Sequence, residues 1–362
     1  MKWCLMGKYS TCSAHSLRIG GYGVNEQNSM RLLSASLLRF NTLRKFDCSC
    51  CELNDDDVGM LIRALTGHSG MVKINLFANK VGERGMTALA ALMTHPHSSV
   101  KDIELGGCSL DDEGAVILAN ALARNTTLTH LDISENDAVT ITGWRAIFTQ
   151  LQSPQSSLEV LNLWDNRIDD AAALLVNALI NGTLRGLDLS QIYFSSWHAF
   201  FDALQNPSCV LQDLDIQNNE FDDRDMTHLS NALEHNCTLR YLNLRGGNSR
   251  VTASGWRTFS AAMQNPNSVL EILHLADNEF DDDALVSFAN SLMGNNKLKD
   301  LFLNSNPDNE GEGNTLTRWD AFTHVLCNKS SIDATFNSNH TLERLFEPDL
   351  GGRSESPSDL KS

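Results

Sequence analysis

The chain has 362 residues, of which 42% are hydrophobic, and its formal net charge is −17 at pH 7. Apolar residues recur along the whole chain, which excludes a disordered protein and allows a large core. No stretch approaches the roughly 18 apolar residues of a membrane-spanning helix. The acidic balance without Lys/Arg clusters argues against nucleic acid or an anionic membrane as a partner.

Residues 1–13 precede any predicted repeat. The apolar stretch between Lys2 and Lys8 is shorter than the roughly 7–15 residues found in the core of a signal peptide. The chain contains nine cysteines, an odd number in a long sequence without a secretory signal. We therefore expect free thiols, a reducing compartment and a cytoplasmic location.

From residue 14 to residue 346 one apolar frame returns about every 28 residues, and we predict about twelve copies. Its clearest copy is Leu158-x-x-Leu161-x-Leu163-x-x-Asn166-x-Ile168. The copies open at Ala14, Leu43, Met71, Val100, Leu128, Leu158, Leu184, Leu211, Leu239, Leu270, Leu298 and Leu342. A frame maintained over this length predicts a repeat architecture.

Each frame predicts a strand. Side chains alternate across a strand, so Leu161 and Leu163 are expected to point inward and their neighbours, such as Trp164, outward. The asparagine that follows, Asn166 in this copy, is expected to be buried, where its amide can satisfy backbone groups of neighbouring turns.

A helix is predicted in the second half of each repeat, and two kinds of helix alternate. One kind has an apolar face at positions i, i+3 and i+7, as in Trp144-x-x-Ile147-x-x-x-Leu151. The other kind has the sequence pattern seen in Leu118-Ala-Asn-Ala-Leu122. The tryptophans that open helices of the first kind recur in register, which predicts that they are core residues: Trp144, Trp197, Trp256 and Trp319.

One strand and one helix per repeat, stacked in one direction, give a parallel sheet with a layer of helices behind it. Strands lie about 4.8 Å apart, whereas packed helices need about 8–10 Å. This difference predicts a curved α/β solenoid, or horseshoe, with parallel strands on the concave side and helices on the convex side.

The frame and its period resemble leucine-rich-repeat proteins of the ribonuclease-inhibitor type over residues 14–346. That resemblance implies an intracellular protein that binds proteins on its concave side. The Trp197-x-x-Phe200 helix, which ends in Gln205-Asn206-Pro207, also resembles a pattern of repeat proteins from unicellular algae, a weaker likeness. Because solenoids need polar caps and none is evident at either end, self-association through the ends or a longer parent protein is expected. Residues 347–362 are predicted to be a flexible tail.

The concave face is the predicted binding surface. Outward aromatic residues are unfavourable without a partner, and Trp, Tyr and Arg dominate binding hot spots. Inner carboxylates would attract a basic partner. The candidate binding residues are Phe77, Trp164, Tyr241, Arg245 and Phe302, with the carboxylates Glu104, Asp132, Asp188 and Asp215.

Other clusters have structural interpretations. Asp runs such as Asp111-Asp112-Glu113 open helices, where they are expected to act as caps, although an acidic stripe that attracts cations is the alternative. Cys48 and Cys51 fall at core positions of the frame, so no metal site is predicted. His130, Asp132 and Ser134 lie together as polar residues of one face would by chance, so no catalytic site and no cofactor are predicted.

We therefore predict a non-enzymatic scaffold that binds a basic protein partner, with no nucleic acid or membrane partner. One alternative is a GTPase activator of the kind that acts on the nuclear-transport GTPase, for which Asn166-Arg167-Ile168 is the nearest match to a signature loop. Another alternative is the sensor portion of a larger signalling or immune-like receptor.

Overall fold

The computed structural model describes residues 11–12, 15–19, 27–38, 42–66, 68–153, 155–168, 171–192, 194, 197–265, 267–278, 280–303, 315–326, 330 and 338–345. The chain divides into two compact units, unit 1 (Met1–Leu184) and unit 2 (Arg185–Ser362). The predicted repeat limits at residues 14 and 346, and the predicted tail at 347–362, lie outside the described residues.

Unit 1 alternates short strands with helices. Its strands are β1 (Thr11–Cys12), β2 (Ser16–Arg18), β3 (Lys45–Asp47), β4 (Lys73–Asn75), β5 (Asp102–Glu104), β6 (His130–Asp132) and β7 (Val160–Asn162). Its helices are α1 (Gln27–Leu37), α2 (Asp55–Leu65), α3 (Glu83–Met93), α4 (Asp112–Leu122), α5 (Ile141–Leu151) and α6 (Ala172–Asn181). Strands β2 to β7 pair in parallel in chain order, whereas β1 is antiparallel to β2.

Unit 2 repeats the same alternation. Its strands are β8 (Gly186–Asp188), β9 (Asp213–Asp215), β10 (Tyr241–Asn243), β11 (Ile272–His274) and β12 (Asp300–Phe302). Its helices are α7 (His198–Leu204), α8 (Asp223–His235), α9 (Ala253–Ala262), α10 (Asp282–Ser291) and α11 (Thr315–Leu326). Strands β8 to β12 pair in parallel in chain order, and a parallel bridge joins Asp300 to Arg344 in the last repeat.

The core of each unit lies between its strands and its helices. The central residue of each parallel strand points into it, as Leu131 and Leu161 do, and both are almost fully buried. The helix tryptophans Trp144, Trp197 and Trp256 are buried as predicted, while the side chain of Trp319 lies outside the described part of the chain. The predicted α/β leucine-rich-repeat solenoid is thus confirmed in each unit.

Buried asparagines join successive repeats. Asn136 Nδ2 donates to the Leu105 carbonyl of the preceding repeat at 3.0 Å and to its own Ile133 carbonyl at 3.1 Å. Its Oδ1 accepts the Leu110 N–H at 2.8 Å. Asn79, Asn166, Asn219 and Asn278 donate in the same way to the repeat before them. The predicted role of the asparagine is confirmed, because its amide satisfies turns that lack strand partners.

Cysteine takes the place of asparagine in two repeats. The Cys51 thiol donates to the Ile19 carbonyl, and the Cys108 thiol donates to the Leu76 carbonyl, each at 3.2 Å. Burial raises the pKa of Cys51 to about 11 and that of Cys108 to about 12. Both therefore remain neutral thiols in the core, as the core interpretation of these cysteines predicts.

The acidic runs cap helices, as predicted. Asp111 caps α4 by accepting the Gly114 N–H at 2.9 Å, and Asp222 forms a capping box with Asp225 on α8. Asp112, the next aspartate in the run, has a role that was not predicted. It accepts the N–H groups of Thr140 and Gly143 at the start of α5, in the next repeat. Carboxylates at these positions satisfy free N–H groups and the helix dipole.

The asparagine bridge leads to a stability prediction. We expect Asn136→Ala to lower the free energy of unfolding by about 2 to 3 kcal/mol, because buried carbonyl and N–H groups lose their partners. The matched control is Asn120→Ala on the exposed side of α4, which should change it by less than about 0.5 kcal/mol. Urea denaturation followed by tryptophan fluorescence measures both, and equal stability of the two variants would refute the bridging role.

Candidate protein-interaction surface

The surface opposite the helices is formed by three outward positions in each repeat. They are the first and third residues of the parallel strand and the residue two places after its end. In unit 1 we call this surface the unit 1 strand face: Lys45, Asp47, Ser49, Lys73, Asn75, Phe77, Asp102, Glu104, Gly106, His130, Asp132, Ser134, Val160, Asn162 and Trp164. All the predicted binding residues occupy such positions in one unit or the other.

Most Asp and Asn residues at the third strand position bind their own backbone. Asp132 Oδ1 accepts the Ser134 N–H at 2.9 Å, and Asn162 Oδ1 accepts the Trp164 N–H at 2.9 Å. The same bond, two residues along the chain, is formed by Asp47, Asn75, Asp188, Asp215 and Asn243. These side chains close the turn that ends each strand. The acidic column is therefore in large part a structural element of the repeat.

Glu104 occupies the same position but makes a different contact. Lys73 Nζ lies 2.5 Å from a Glu104 carboxylate oxygen and 3.0 Å from an Asp102 carboxylate oxygen, and all three side chains are half-buried. Burial raises the pKa of Glu104, the hydrogen bond from Lys73 opposes the rise, and the nearby Asp102 and Asp132 add to it. Burial alone would lower the pKa of Lys73, but its bonds to Glu104 and Asp102 raise it. One ammonium group is thus shared by two carboxylates.

Phe77 lies across the neighbouring repeat. Its Cδ2 and Cε2 atoms are 2.8 Å and 3.0 Å from the place where a Cβ atom on Gly106 would stand, and Ser134 Oγ is 2.5 Å from that place. Gly106 therefore leaves the space that the ring occupies. Phe77 and Trp164 are both half-buried, so each keeps part of its surface exposed.

Tyr241 and Phe302 correct the prediction of exposed aromatic residues. Only 2% of Tyr241 and 8% of Phe302 is exposed. The reason is a stack along the strands of unit 2, in which the His274 ring lies 4.0 Å from the Phe302 ring and 5.4 Å from the Tyr241 ring, centroid to centroid. The Arg344 guanidinium also lies over the Phe302 ring, 5.7 Å from its centroid. These rings cover one another.

The polar candidates of unit 2 are also engaged. Arg245 Nε donates to Asp277 at 2.7 Å. Asp215 is buried and accepts hydrogen bonds from Asn243 Nδ2 at 2.9 Å and from Ser190 Oγ at 3.1 Å. Asp188 accepts the Ser190 N–H at 2.9 Å. Their contacts hold this part of the sheet together.

The structure brings Phe77, Glu104 and Asp132 onto adjacent strands of the unit 1 strand face, with Trp164 on the next strand. Lys73 and Gly106 belong to the same surface, and sequence patterns alone did not single them out. Gly106 departs from the serine or aromatic residue that other repeats of unit 1 carry at its position, and that departure is the signal that could have identified it. Lys73 gave no such signal, because Lys45 occupies the same position in the preceding repeat.

Three further observations concern metal binding, membrane insertion and the loop that suggested a GTPase activator. Among those residues no three His, Cys, Asp or Glu side chains are arranged to hold a metal ion. None of the helices within the same ranges is long and apolar enough to cross a membrane. Asn166, the first residue of the loop that suggested a GTPase activator, is buried and bridges repeats through its amide.

Comparison with known proteins places this geometry in a family. The family model described as Leucine Rich repeat matches residues 124–148 and 267–289. The "NACHT, LRR and PYD domains-containing protein 14" of Mus musculus is 28% identical over 237 residues, which is 64% of this chain and 24% of that protein. The ribonuclease inhibitor of Sus scrofa is 24% identical over 282 residues, which is 76% of this chain and 61% of the inhibitor. The chain thus spans about a quarter of the NACHT relative's length.

Among solved structures, an internalin from Listeria monocytogenes aligns with 16% identity over 80% of each chain, at a TM-score of 0.46. A structure of TLR13 with the RNA ssRNA13 aligns with 17% identity over 74% of this chain and 36% of that chain, at a TM-score of 0.43.

The repeat frame, the strand–helix alternation and the asparagine bridges define a leucine-rich-repeat solenoid. With the family match and the similarity to ribonuclease inhibitor, the chain is a leucine-rich-repeat protein of the ribonuclease-inhibitor-like type.

The aromatic stack of unit 2 leads to a prediction about pH. His274 is buried and, among the described residues, its Nδ1 has no hydrogen-bond partner. Its pKa is lowered to about 4, mainly by burial and also by Arg245 and Arg344, while Asp300 opposes the shift. The unfolded chain, with a histidine pKa near 6.5, therefore takes up a proton first as the pH falls.

The contribution of neutral His274 to the free energy of unfolding is fully present above about pH 6.5 and is lost as the pH falls towards 4. Between pH 7 and pH 5 we expect the wild type to lose about 2 kcal/mol more unfolding free energy than His274→Phe, which keeps a ring in the stack. Urea denaturation of both proteins at the two pH values tests this. An identical loss in both would show that His274 is not the titrating group.

Proposed function

We propose that this protein is a non-enzymatic interaction scaffold that binds a protein partner on the unit 1 strand face. The observation that carries the proposal is that Phe77 and Trp164 stay partly exposed at positions where other repeats of unit 1 carry serine or glycine. A repeat fold gains no backbone hydrogen bond from an aromatic side chain at this position. Partly exposed aromatic residues of this kind are typical anchors of protein interfaces.

Phe77 and Trp164 are the proposed anchors, and Glu104 and Asp132 are their proposed charged neighbours. Tyr241 and Phe302 are not proposed as anchors, because they are already buried by their own stack. Asp188, Asp215 and Arg245 are proposed to act only through the electric field around the molecule, since their polar atoms already hold internal contacts. The net charge of −17 favours a basic partner by speeding encounter.

We also propose that the protein acts in the cytoplasm. Buried, unlinked thiols at Cys48, Cys51 and Cys108 suit a reducing compartment. Fractionation of cells that express the protein tests this, and a membrane or secreted fraction would contradict it.

The anchors can be tested by affinity capture from native lysate. We expect Phe77→Ala/Trp164→Ala to lose a basic partner that the wild type retains, because anchor residues contribute about 2 kcal/mol or more each to many interfaces. The matched control is Leu32→Ala/Leu38→Ala, which removes two exposed apolar side chains, one on α1 and one directly after it, away from the strand face. Capture is read by mass spectrometry, and thermal melting checks that each variant is folded.

Thiol footprinting locates the contact independently. Cys50 is exposed, and its N–H donates to the Phe77 carbonyl at 2.8 Å, whereas Cys237 is exposed in unit 2. The bound partner should slow maleimide labelling of Cys50 and leave that of Cys237 unchanged. Equal capture by the anchor and control variants, or protection of Cys237 alone, would contradict the proposal.

A second candidate, favoured by the similarity to the NACHT, LRR and PYD domains-containing proteins, is that this chain is the sensor portion of a larger signalling protein. In that case the unit 1 strand face would bind the signal or an internal regulatory surface.

The two candidates predict different sizes for the native protein. Immunoblotting of source-cell lysate with an antibody to this chain should give a band near 40.0 kDa for the separate scaffold. A single band several times larger would favour the sensor, and the 40.0 kDa band alone would exclude it.

A further inference from the structure

The contacts around Phe77 carry an inference about the chemistry of the partner, and it rests on the proposed function. We propose that the unit 1 strand face takes an arginine side chain of the partner, with the guanidinium stacked on Phe77 and paired to the carboxylates of Glu104 and Asp102.

Gly106 leaves the space in which the aromatic ring of this site lies. A side chain at position 106 would collide with the Phe77 ring, whose Cδ2 atom is 2.8 Å from the place of the missing Cβ. Without one, the Cδ2–Cε2 edge of the ring packs over Gly106, just after the end of β5. A ring held in this way loses little freedom on binding, which favours affinity.

The carboxylates lie next to that ring. Gly106 follows Glu104 by two residues, just after the end of β5, so the place of its missing Cβ and the Glu104 side chain lie on the same side, about 7 Å apart. The ring over Gly106 is therefore a neighbour of the Glu104 carboxylate. Asp102, two residues earlier, extends the negative side of the site along the same strand.

The charge balance favours a cation. Within the described ranges, Lys73 is the one cation in contact with this pair of carboxylates, at 2.5 Å and 3.0 Å, which leaves one negative charge in a half-buried group. The pKa of Glu104 is raised by burial and by its acidic neighbours, so the group would be stabilised by further positive charge.

Arginine suits the combination better than lysine does. A guanidinium is planar, stacks on an aromatic ring and binds carboxylates with two parallel hydrogen bonds, whereas an ammonium group is compact and more strongly hydrated. A lysine would use the carboxylates but gain less from the ring. The site thus predicts a preference between two side chains of equal charge.

Gly106→Ala tests how the ring is positioned. The added methyl group should push Phe77 off β5, whereas Gly70→Ala meets only the Leu43 carbonyl, at 4.0 Å, and is the control. In binding assays Gly106→Ala should weaken arginine recognition as much as Phe77→Leu does, and the two changes together should cost no more than either alone.

The probes are two fluorescein-labelled peptides, hexa-arginine and hexa-lysine, measured by fluorescence anisotropy at low salt with the full chain. We expect hexa-arginine to bind more tightly to the wild type. Phe77→Leu should weaken hexa-arginine binding by about 2- to 5-fold and change hexa-lysine binding less. An equal change for both peptides, or no binding of either, would overturn the inference.

Matched charge changes separate the site from the general acidity of the protein. Glu104→Gln should weaken hexa-arginine binding, and Glu271→Gln should not, although Glu271 also bridges two cations, Arg240 and Lys299. Conversely, Lys73→Met should strengthen binding more than Lys299→Met. Equal effects of the two substitutions within each pair would show that peptide affinity depends on net charge alone. That result would refute the proposed guanidinium site.

These outcomes are independent of partner capture. If the protein shows no preference for arginine but still captures a partner through the anchors, the guanidinium site is refuted and the proposed scaffold function is not. The expected peptide results with no captured partner would refute the scaffold instead.

Discussion

The fold depends on a buried hydrogen-bonding side chain that follows most of the parallel strands in the described part of the chain. Every repeat must turn from a strand of three residues into a loop that leads to a helix, and the backbone groups of that turn are cut off from water. Asn79, Asn136, Asn166, Asn219 and Asn278 solve this by binding carbonyl groups of their own repeat and of the repeat before it. The same amide therefore closes the turn of its own repeat and ties that turn to the preceding repeat, which keeps the strands in register.

A second set of polar contacts stabilises the ends of the elements. Aspartate and asparagine on the outer side of the strands accept N–H groups two residues ahead, while aspartates such as Asp112 and Asp223 accept groups at the start of the following helix. Much of the acidity of the chain is thereby accounted for by backbone geometry. Function is better sought where a repeat carries an unusual residue at an outward position, as at Glu104 and Phe77 in unit 1. In unit 2 the departures, Tyr241, His274 and Phe302, pack against one another.

The sequence was sufficient for the parts of the structure that follow from local periodicity. The frame located the strands, the inward leucines, the buried tryptophans, the asparagine bridges and the helix caps. It failed for Tyr241 and Phe302, because the exposure of an outward residue depends on neighbours that are distant in sequence, here His274 and Arg344. Gly106 and Lys73 were missed for the same reason, since their importance comes from Phe77 and Glu104 on adjacent strands. The left-handed backbone of Ala78 and Asp165, just before the bridging asparagines, was not predicted either.

The central claim is that the partner contacts the unit 1 strand face, and site-specific photo-crosslinking tests it most directly. The photoreactive residue p-benzoylphenylalanine would be placed once at position 77 and once at position 124, an exposed position after α4 on the helical side. Irradiation in native lysate should join a partner to the chain labelled at position 77 and not to the chain labelled at position 124. Crosslinking from position 124 alone would place the partner on the helices and contradict the account.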